Sequence, residues 1–593
     1  MKKNLIQSLP EPFNFYRIVL ESDHLHFGLW KEDDADMTLE EAQENMFRSL
    51  LKYFPEAPAK ILDVGCGLGL SAYDLAEKGY EIRAISPSPA LIAYAEHCYV
   101  HKNLSFHVAG FLDEDHPVFQ KEFYDLVLSQ ESLQYISPLS GFFQKARYLL
   151  KEKGKIIISD EVCKDISIKN RTAVHLVKDI ISSLSEAGFR ITGRQEVGEQ
   201  VVRTTDHIIQ RFEQKRQQIL QTVNRENTET ELDFFLKGWK EQKIWYENRQ
   251  MEYHIIAAQK DNISVKPYEQ GDEHRILDMF NKVFGTNRTM DHWYWKFRDN
   301  PYGRFKIAET VTGNNELAAH FCGYPVPFYY SSGPEHSECI IFHGGDTMTH
   351  PDFRHVGRGK TSILSRAAVY FYNKFCMDVI PFIYGFNTGN IRKFGERFLD
   401  YRYLPQIPFH VLDVRDFRFT PSVFHRFINV YSIEAVREIS PEYDTFFQKT
   451  APDYGTLIKR DAAYLKWRYP DCPDRIHKMY AVRRLGKLVG WGVFVQKKDS
   501  LIWGDALFDR KYPQAPAFLL NHLVHYEFPD TEKITGWFSP VPSWWGAILQ
   551  DNGFQITEEP NRLAPVFTIF DNRFSLEYFE RYFYYTMGDS DLF

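Results

Sequence analysis

The chain has 593 residues, 44% of them hydrophobic and 25% charged, an ordinary globular composition that suits about three to four domains. Its net charge of −8 and its lack of a long basic run disfavour a nucleic-acid partner, because phosphate binding relies on clustered lysine and arginine. Seven scattered cysteines, none in a Cys-x-x-Cys pair, argue against disulfides and structural zinc, so we expect no metal. With no signal peptide and no apolar run of about 18 residues, we predict a cytoplasmic protein without a membrane span.

After a helical lead-in at residues 1–58, the sequence alternates apolar, strand-like runs with stretches of helical periodicity up to about residue 260. The predicted strands are Lys60–Val64, Glu81–Ile85, Leu104–Val108, Asp125–Leu128, Lys155–Ser159 and Tyr253–Ala258. The predicted helices are Leu70–Lys78, Ala90–Cys98 and Gly141–Leu150, and residues 161–250 have the helical periodicity of a lid. Strands that alternate with helices predict an α/β fold with a mostly parallel, doubly wound sheet.

The first predicted strand runs directly into three alternating glycines, Gly65, Gly67 and Gly69. Asp63 precedes the glycines and Cys66 lies among them. A strand, a tight glycine turn and a helix bring bare backbone N–H groups to a helix N-terminus, where they can hold a ligand. Because dinucleotide-binding folds share this arrangement, the loop alone predicts a nucleotide-type cofactor site without naming the cofactor.

The segments around this loop, His24–Trp30, Tyr124–Leu128, Gln130–Tyr135 and Leu149–Lys155, resemble the class I S-adenosylmethionine-dependent methyltransferases of the small-molecule branch. The resemblance implies a Rossmann-like methyltransferase domain with S-adenosylmethionine as the donor and a small-molecule acceptor. The implied cofactor-binding residues are Trp30, Asp63, Gly65, Cys66, Gly67, Gly69, Ser86 and Phe111.

The resemblance also implies catalytic roles for Glu131 and Tyr135. A base is needed only for a protonated amine or a hydroxyl acceptor, and His24 and His26 are further candidates for it. The sequence departs from the family at two positions. Ser86 stands where an acid normally accepts the ribose hydroxyls, and Gly110 stands where an aspartate usually faces the adenine.

A second glycine loop, Arg354–Gly359, follows Thr349-His350-Pro351 and precedes a predicted helix at Lys360–Phe371. With the strand before it, this loop resembles that of the GNAT acyltransferases, which implies an α+β fold that binds acetyl-CoA or another acyl-CoA through loop amides. The implied cofactor-binding residues are Met348, Thr349, Arg354, His355, Val356, Gly357, Arg358, Gly359, Lys360 and Asn387. The implied catalytic residues are His343 and Asp346, with Tyr384 or Tyr401 as the acid because Phe394 stands where the family often has a tyrosine.

The second half of the chain contains a weak internal repeat. Tyr294–Arg298 has a counterpart in Tyr464–Arg468 at an offset of 170, which Asp291 and Asp461 share. So long a period predicts a duplicated domain rather than a solenoid. In the second copy Lys511–Pro516 replaces the glycine loop, and its two prolines and lack of glycine predict that this copy does not bind coenzyme A.

We therefore predict a methyltransferase domain at residues 1–262, a GNAT domain at 263–410 and a degenerate GNAT-like domain at 411–593. The leading hypothesis is a bifunctional transferase that methylates and N- or O-acetylates a small metabolite, such as an amino sugar or a natural-product amine. An alternative is an acyltransferase whose methyltransferase-like domain is a non-catalytic binding or scaffold module. A third hypothesis, aminoacyl transfer from tRNA, is disfavoured by the acidic balance. The sequence names neither the acceptor nor the oligomeric state, and it assigns no role to the acidic tail Gly588–Asp591.

Overall fold

The computed structural model describes residues 6, 8–20, 22–31, 36–223, 225–332, 335–419 and 430–593. The chain divides into two compact units. The first comprises Met1–Lys266 with Thr312–Asn314, and the second comprises Pro267–Val311 with Asn315–Phe593. The division into three domains stays a prediction.

The first unit is built on one seven-stranded sheet. Its strands are β1 (Lys60–Val64), β2 (Glu81–Ser86), β3 (Leu104–Val108), β4 (Tyr124–Gln130), β5 (Leu150–Cys163), β6 (Phe189–Glu196) and β7 (Met251–Lys260). Their order is β3-β2-β1-β4-β5-β7-β6, with β1 to β5 parallel and β7 antiparallel to both of its neighbours. The strand order reverses between β1 and β4, so ligands are expected at the carboxyl end of β1. This confirms the Rossmann-like fold predicted for the region.

One strand of this sheet lies inside the region predicted to be a helical lid. Strand β6 begins at the buried Phe189, then alternates half-buried and exposed residues from Ile191 onward, and it pairs antiparallel with β7. Its sequence FRITGRQE contains only two large apolar residues, so its two-residue period is weak beside the helical segments that flank it. The antiparallel edge it forms was therefore not predicted.

The helices of the first unit cover this sheet and its carboxyl edge. They are α1 (Phe13–Leu20), α2 (Leu39–Leu51), α3 (Leu70–Glu77), α4 (Pro89–Cys98), α5 (Leu139–Leu149), α6 (Ile166–Lys169), α7 (Val177–Glu186), α8 (Gly198–Val201), α9 (Arg203–Val223) and α10 (Thr228–Glu247). Local sequence explains several of their starts. Thr38 and Glu41 form a capping box at α2, and Ser88 caps α4, in which Pro89 takes the first turn, where its missing N–H costs nothing.

The second unit contains two sheets. Its strands are β8 (Ile263–Pro267), which begins in the first unit, β9 (Lys306–Thr312), β10 (Leu317–Ser332), β11 (Glu335–Thr349), β12 (Phe382–Asn387), β13 (Arg402–Tyr403), β14 (Pro408–Asp413), β15 (Tyr431–Ala435), β16 (Thr456–Ile458), β17 (Lys478–Arg484), β18 (Lys487–Lys497), β19 (Ser500–Phe508), β20 (Lys533–Trp537), β21 (Gln555–Glu558), β22 (Ala564–Ile569) and β23 (Phe583–Tyr584). One sheet has the order β13-β22-β12-β11-β10-β16-β23, with β9 also along β10. The other has the order β15-β17-β18-β19-β20-β14-β21.

The two sheets exchange strands between the predicted copies of the repeat. Strand β14, which follows the first copy in the chain, pairs with β20 and β21 of the second copy. Strand β22, near the end of the second copy, pairs with β12 and β13 of the first. The boundary predicted at residue 410 therefore falls inside β14, and neither half holds a complete sheet without the other.

The helices of the second unit are α11 (Glu273–Phe284), α12 (Met290–Trp293), α13 (Ile363–Phe371), α14 (Gly389–Phe398), α15 (Glu442–Tyr454), α16 (Ala462–Arg468), α17 (Ala515–His522), α18 (Ser543–Asp551) and α19 (Leu576–Tyr582). Helix α13 begins at Ile363 after a single 3₁₀ turn at Gly359–Thr361, three residues later than predicted. Ser362 caps α13 by accepting a hydrogen bond from the backbone N–H of Ser365. In the described part of the chain, no helix has the length and apolar character needed to cross a bilayer.

The helix caps show how the two copies of the repeat align. Thr289 caps α12 by accepting from the N–H of His292, and Asp461 caps α16 by accepting from the N–H of Tyr464. Both pairs are related by an offset of 172 residues. The predicted offset of 170 is therefore wrong by two residues. It aligned identical residues of Tyr294–Arg298 and Tyr464–Arg468, whereas the structure aligns the residues that cap the two helices.

Trp295 and Trp467 support the same alignment. The indole N–H of each donates to the backbone carbonyl of the other, at 2.6 and 2.9 Å, and the two rings stack with centroids 5.5 Å apart. Reciprocal contacts of this kind are made by equivalent residues on either side of a two-fold axis. The two copies thus face each other around this tryptophan pair.

Candidate functional sites

The first candidate site begins where β1 ends. Gly65, Gly67 and Gly69 have φ angles of 82°, 55° and 93°, a region that residues with a side chain rarely adopt. The N–H of Gly65 donates to the carbonyl of Ile85 at 3.0 Å, and the N–H of Gly69 donates to Cys66 at 2.9 Å. In the described residues, the N–H of Gly67 donates to no acceptor. This amide, at the switch point of the sheet, can donate to a ligand.

Asp63 is the buried carboxylate next to these glycines. It is the fourth of the five residues of β1, between Leu62 and Val64, and it is 4% exposed. Within the described residues its oxygens accept no hydrogen bond, and burial raises its pKa to about 7. A buried carboxylate without a partner is costly, and a cationic or hydrogen-bond-donating ligand removes that cost.

The two positions that depart from the family lie where the sequence predicted. Ser86 ends β2, and its hydroxyl accepts a hydrogen bond from the N–H of Ser88 at 3.3 Å. Gly110 follows β3, and its N–H donates to the carboxylate of Asp113 at 2.6 Å. Asp113, an exposed acidic residue in the loop after β3, comes three residues after the expected position. Phe111 is buried against Phe142, with ring centroids 4.8 Å apart.

An N-terminal segment lies over the glycine loop. The Leu25 side chain is 3.1 Å from where a Cβ on Gly67 would be, and a ring nitrogen of His24 is 3.4 Å from the Asp74 carboxylate on α3. Trp30 is further along this segment, with its indole N–H donating to Thr204 at 2.9 Å. The polar atom of Trp30 is therefore already bonded within the protein.

Beside this loop, Glu131, Asp160 and Glu161 place three carboxyl groups at the ends of β4 and β5. Glu131 accepts from the N–H of Phe27 at 2.6 Å and from the hydroxyl of Tyr253 at 2.8 Å. Burial, followed by the charge of Glu161, raises the pKa of Glu131 well above its usual range. Burial also raises the pKa of Asp160 to about 8 and that of Glu161 to about 7. Asp160 and Glu161 can therefore hold or release a proton near neutral pH.

Asp160 and Glu161 were missed because β5 continues past the predicted end at Ser159. Tyr135 lies near the three carboxyl groups, and its ring is 77% exposed. Burial and then Asp160, Glu161 and Glu131 raise its pKa.

The second candidate site lies along β11, which carries His343, Asp346 and Met348. His343 is stacked on Tyr324, with ring centroids 4.9 Å apart, and meets the edge of Tyr384 at 4.8 Å. Burial lowers the pKa of His343 to about 4, so its imidazole is neutral at pH 7 and can accept a proton. Met348 is buried in the core.

Asp346 is held by two cations. Arg288 donates to one of its oxygens at 2.5 Å, and Lys296 donates to the other at 3.0 Å. Burial alone would raise its pKa, but Lys296 and Arg288 bring it down to about 2. A carboxylate that is ionised and fully paired is a poor proton acceptor, so the geometry favours His343 over Asp346 as the base.

The predicted phosphate-binding loop follows β11. In the described part of the chain, four of its N–H groups, at His355, Gly357, Gly359 and Lys360, donate to no acceptor. Gly357 and Gly359 have φ angles of 72° and 57°. A run of free amides in a turn with left-handed residues forms a concave anion site. The side chains of Arg354, Arg358 and Lys360 are exposed beside it.

The remaining predicted residues of this site lie at its edges. Thr349 pairs with Ala319 at the end of β11. The amide nitrogen of Asn387, at the end of β12, lies 3.5 Å from the hydroxyl of Tyr403. Tyr384 donates its hydroxyl hydrogen to the carbonyl of Asp589 at 3.2 Å, a contact that ties it to the C-terminal tail. Among the described residues, no group of three or more histidine, cysteine, aspartate or glutamate side chains is arranged to hold a metal ion.

Residues 62–158, which contain the end of β1, the glycine loop, β2 to β4 and Glu131, match the family model described as a methyltransferase domain. This segment of the first unit matches a methyltransferase domain. This confirms the methyltransferase part of the predicted resemblance. The acyltransferase resemblance of the second unit stays a prediction.

Individual relatives agree with the family match. The chain is 23% identical over 215 residues to phosphoethanolamine N-methyltransferase 3 of Arabidopsis thaliana, a match that covers 34% of this chain and 42% of that protein. It is 28% identical over 185 residues to O-methyltransferase resE of Aspergillus sclerotiorum, covering 28% and 69%. It is 25% identical over 247 residues to 27-O-demethylrifamycin SV methyltransferase of Amycolatopsis mediterranei, covering 38% and 89%.

Among solved structures, a putative sarcosine dimethylglycine methyltransferase from Galdieria sulphuraria matches with a TM-score of 0.38 and 18% identity, over 42% of this chain and 99% of that one. The [4+2]-cyclase SpnF matches with a TM-score of 0.35 and 19% identity, over 42% and 94%.

Proposed function

We propose that the first unit transfers a methyl group from S-adenosylmethionine to a small metabolite. The observation that carries this proposal is the unpartnered carboxylate of Asp63, buried beside a glycine loop at the switch point of the sheet. The relatives, which are named as N- and O-methyltransferases, support the same reaction class. Asp63 and the free amide of Gly67 would hold the donor, which supplies an electrophilic methyl group when bound.

The protein's own part in this reaction is positioning and proton transfer. Aligning an acceptor with the methyl group supplies much of the rate in a displacement of this kind. Glu131 lies near Tyr135, and its raised pKa makes its carboxylate a stronger base for the proton of an amine or hydroxyl acceptor. Tyr253 and the N–H of Phe27 fix its orientation.

Calorimetric titration of the full chain with S-adenosylmethionine and with S-adenosylhomocysteine tests the donor site. We expect micromolar binding of both ligands to the unmodified chain. Absence of binding at millimolar ligand would remove the methyltransferase proposal.

We further propose that the second unit N- or O-acetylates a metabolite with acetyl-CoA. The support is the turn in which the N–H groups of His355, Gly357, Gly359 and Lys360 remain free to bind a pyrophosphate. His343, neutral and close to this turn in the chain, is the proposed base. Titration with coenzyme A tests the site, and a chain that binds none of it would lack this activity.

Together the two units would act as a bifunctional transferase on one compound, such as an amino sugar or a natural-product amine. Mass spectrometry of host metabolites with and without the protein tests this. If removal of the protein lowers the mass of one metabolite by both a methyl group and an acetyl group, the two reactions act on the same compound. Two separate compounds would show that the units act independently.

A second candidate function keeps the acyltransferase and makes the methyltransferase domain a binding or scaffold module. It is favoured by Ser86, whose hydroxyl is a weaker ribose acceptor than a carboxylate and already accepts from Ser88. Titration separates the two candidates. A chain that binds coenzyme A but not S-adenosylmethionine would favour the scaffold.

A further inference from the structure

The acidic tail that the sequence left unassigned lies against both copies of the repeat in the second unit. Arg468 on α16 holds it by donating to the backbone carbonyls of Gly588 at 3.1 Å, Ser590 at 2.7 Å and Phe593 at 2.7 Å. Because Arg468 is buried and shielded from water, these carbonyls are the main polar partners of its guanidinium group. The tail from Gly588 to Phe593 is thus an ordered part of the second unit.

The tail enters two equivalent recesses, one on each copy of the repeat. Gly345 on β11 and Gly504 on β19 each precede a buried aspartate that an arginine binds. A Cβ on Gly345 would clash with the Asp591 carboxylate, and a Cβ on Gly504 would clash with the Phe593 ring. Both recesses therefore exist because a glycine stands there.

The two recesses differ in what fills them. The Phe593 ring is 4% exposed and packs against Tyr469 and His477, so the recess at Gly504 is closed and apolar. The Asp591 side chain is 27% exposed, so solvent reaches the recess at Gly345. This difference matches the loss of the glycine loop from the second copy.

The open recess brings a carboxylate to His343. The Asp591 carboxylate accepts from the hydroxyl of Tyr324 and from the ammonium group of Lys296, both at 2.8 Å. One of its oxygens lies 3.8 Å from Nδ1 of His343. In the described part of the chain, neither ring nitrogen of the buried His343 has a hydrogen-bond partner. Burying an imidazole without a hydrogen bond to either nitrogen is energetically unfavourable. A hydrogen-bond donor on a substrate can offset that free energy.

The charges around His343 come from four elements. Asp591 lies on the tail, Lys296 follows α12, Arg468 lies on α16 and Asp346 lies on β11. Burial alone would raise the pKa of Asp591, but Lys296 and His343 lower it below the usual range of a carboxyl group. Asp591 is therefore ionised at neutral pH, and it stabilises a positive charge that forms on the imidazole.

We propose that Asp591 of the C-terminal tail is a positioning residue for His343, which accepts the acceptor's proton during acyl transfer by the second unit. The inference rests on the proposed acyltransferase function. The amine nitrogen forms a bond to the carbonyl carbon of the acyl thioester, and the bond from that carbon to sulfur breaks. His343 takes the proton that the nitrogen loses, and that proton then passes to the leaving thiolate, which gives free coenzyme A and restores the neutral imidazole.

The first test measures His343 directly and needs no acceptor. The hydrogen on the imidazole carbon between the nitrogens exchanges with deuterium through the protonated ring, so its rate at neutral pH follows how readily the ring is protonated. In full-length Asp591→Asn we expect this exchange at His343, read by peptide mass spectrometry, to be at least threefold slower than in the unmodified chain. Leu592→Ala, which trims an exposed neighbour, is the matched control and should leave the rate unchanged.

An unchanged rate in Asp591→Asn, with the native circular dichroism spectrum retained, would overturn the role of Asp591. A slower rate in both variants would also overturn it, because it would reflect loosening of the tail. Titration with coenzyme A in the same variants separates this inference from the proposed function. We expect its affinity to change by less than twofold in Asp591→Asn, and a chain that binds no coenzyme A would remove the acyltransferase while leaving the exchange result intact.

The second test follows thiol release from acetyl-CoA with a panel of primary amines. For an amine that is acetylated, we expect His343→Gln and Asp591→Asn each to lower kcat at least tenfold with little change in the KM for acetyl-CoA. A fall confined to KM would overturn the role in proton transfer. Thiol release no faster than the uncatalysed rate with every amine would overturn acyl transfer to amines by this site.

Discussion

At the scale of single residues, burial raises the pKa of the Asp63 carboxyl group into the range where its charge can control ligand binding. Its pKa of about 7 arises from burial alone, so the group is largely protonated at pH 6 and largely ionised at pH 7.5. A donor with a cationic amino group binds the ionised form. We expect the affinity for S-adenosylmethionine to rise roughly five- to tenfold between pH 6.0 and 7.5, as measured by calorimetry.

The control for this prediction is Asp63→Asn, which cannot ionise. It should bind the donor more weakly at pH 7.5 and lose most of the pH dependence. If the substituted chain keeps the full pH dependence, another of the buried carboxyl groups, such as Glu161, controls donor binding.

The second prediction at the scale of one residue concerns Gly357, in the predicted phosphate-binding loop. Its φ of 72° is left-handed, and a Cβ there would clash with the carbonyl of Thr361. Alanine would have to leave this conformation, at a cost of about 1–2 kcal/mol before any clash, and would turn the free amides away from one another. We expect Gly357→Ala to weaken coenzyme A binding at least tenfold in a titration.

Gly389 provides the matched control, because no atom lies within 4 Å of the position that its Cβ would take. Gly389→Ala should bind coenzyme A like the unmodified chain. Equal binding by both variants would contradict a role for the turn at Gly357.

At the scale of elements, the tail and strands β16 and β19 are joined by a buried ion cluster. Arg460 donates to Asp505 on β19 at 3.0 Å and to Asp589 on the tail at 2.7 Å. Arg460→Met would leave two buried carboxyl groups without their cation. We expect it to lower the free energy of unfolding of the second unit by about 3–5 kcal/mol in chemical denaturation.

Arg562→Gln is the corresponding control, because Arg562 and its partner Glu558 are both exposed. This substitution should lower the free energy of unfolding by less than about 1 kcal/mol. Similar losses in the two variants would mean that the buried cluster contributes no more than a surface ion pair.

At the scale of the whole molecule, the exchanged strands determine which pieces can fold. Residues 267–410 lack β22, the partner of β12, and end inside β14. Their sheet would expose an unpaired edge and much of its core, which favours aggregation. We expect this fragment to be unfolded or aggregated, while residues 267–593 give a cooperative unfolding transition by circular dichroism.

A soluble, folded fragment 267–410 would contradict this expectation and show that β22 is dispensable. An intermediate fragment, residues 267–587, retains β22, α19 and β23 but lacks the tail, so it separates the contribution of the strand from that of the ion cluster around Arg460.

The local pattern of the first unit was largely predictable. Strand β1, the three glycines and the strand carrying Tyr124 lie where hydrophobic periodicity and turn chemistry indicated. Strand β6 was missed because its partner, β7, lies more than fifty residues along the chain. The repeat offset was wrong for a similar reason, since the helix caps at Thr289 and Asp461 and the contacts between Trp295 and Trp467, which distinguish 172 from 170, appear only in the structure.

The sequence by itself determined the chemistry that adjacent residues can make: two glycine turns with left-handed backbone and free amides, each after a strand. Those features depend on φ preferences and hydrogen bonding within a few residues. Only the tertiary structure decided which distant side chains meet, such as Asp591 with His343 and Lys296, and which strands cross between copies of the repeat. These contacts form when burial brings remote segments together, and burial depends on the whole chain rather than on any local pattern.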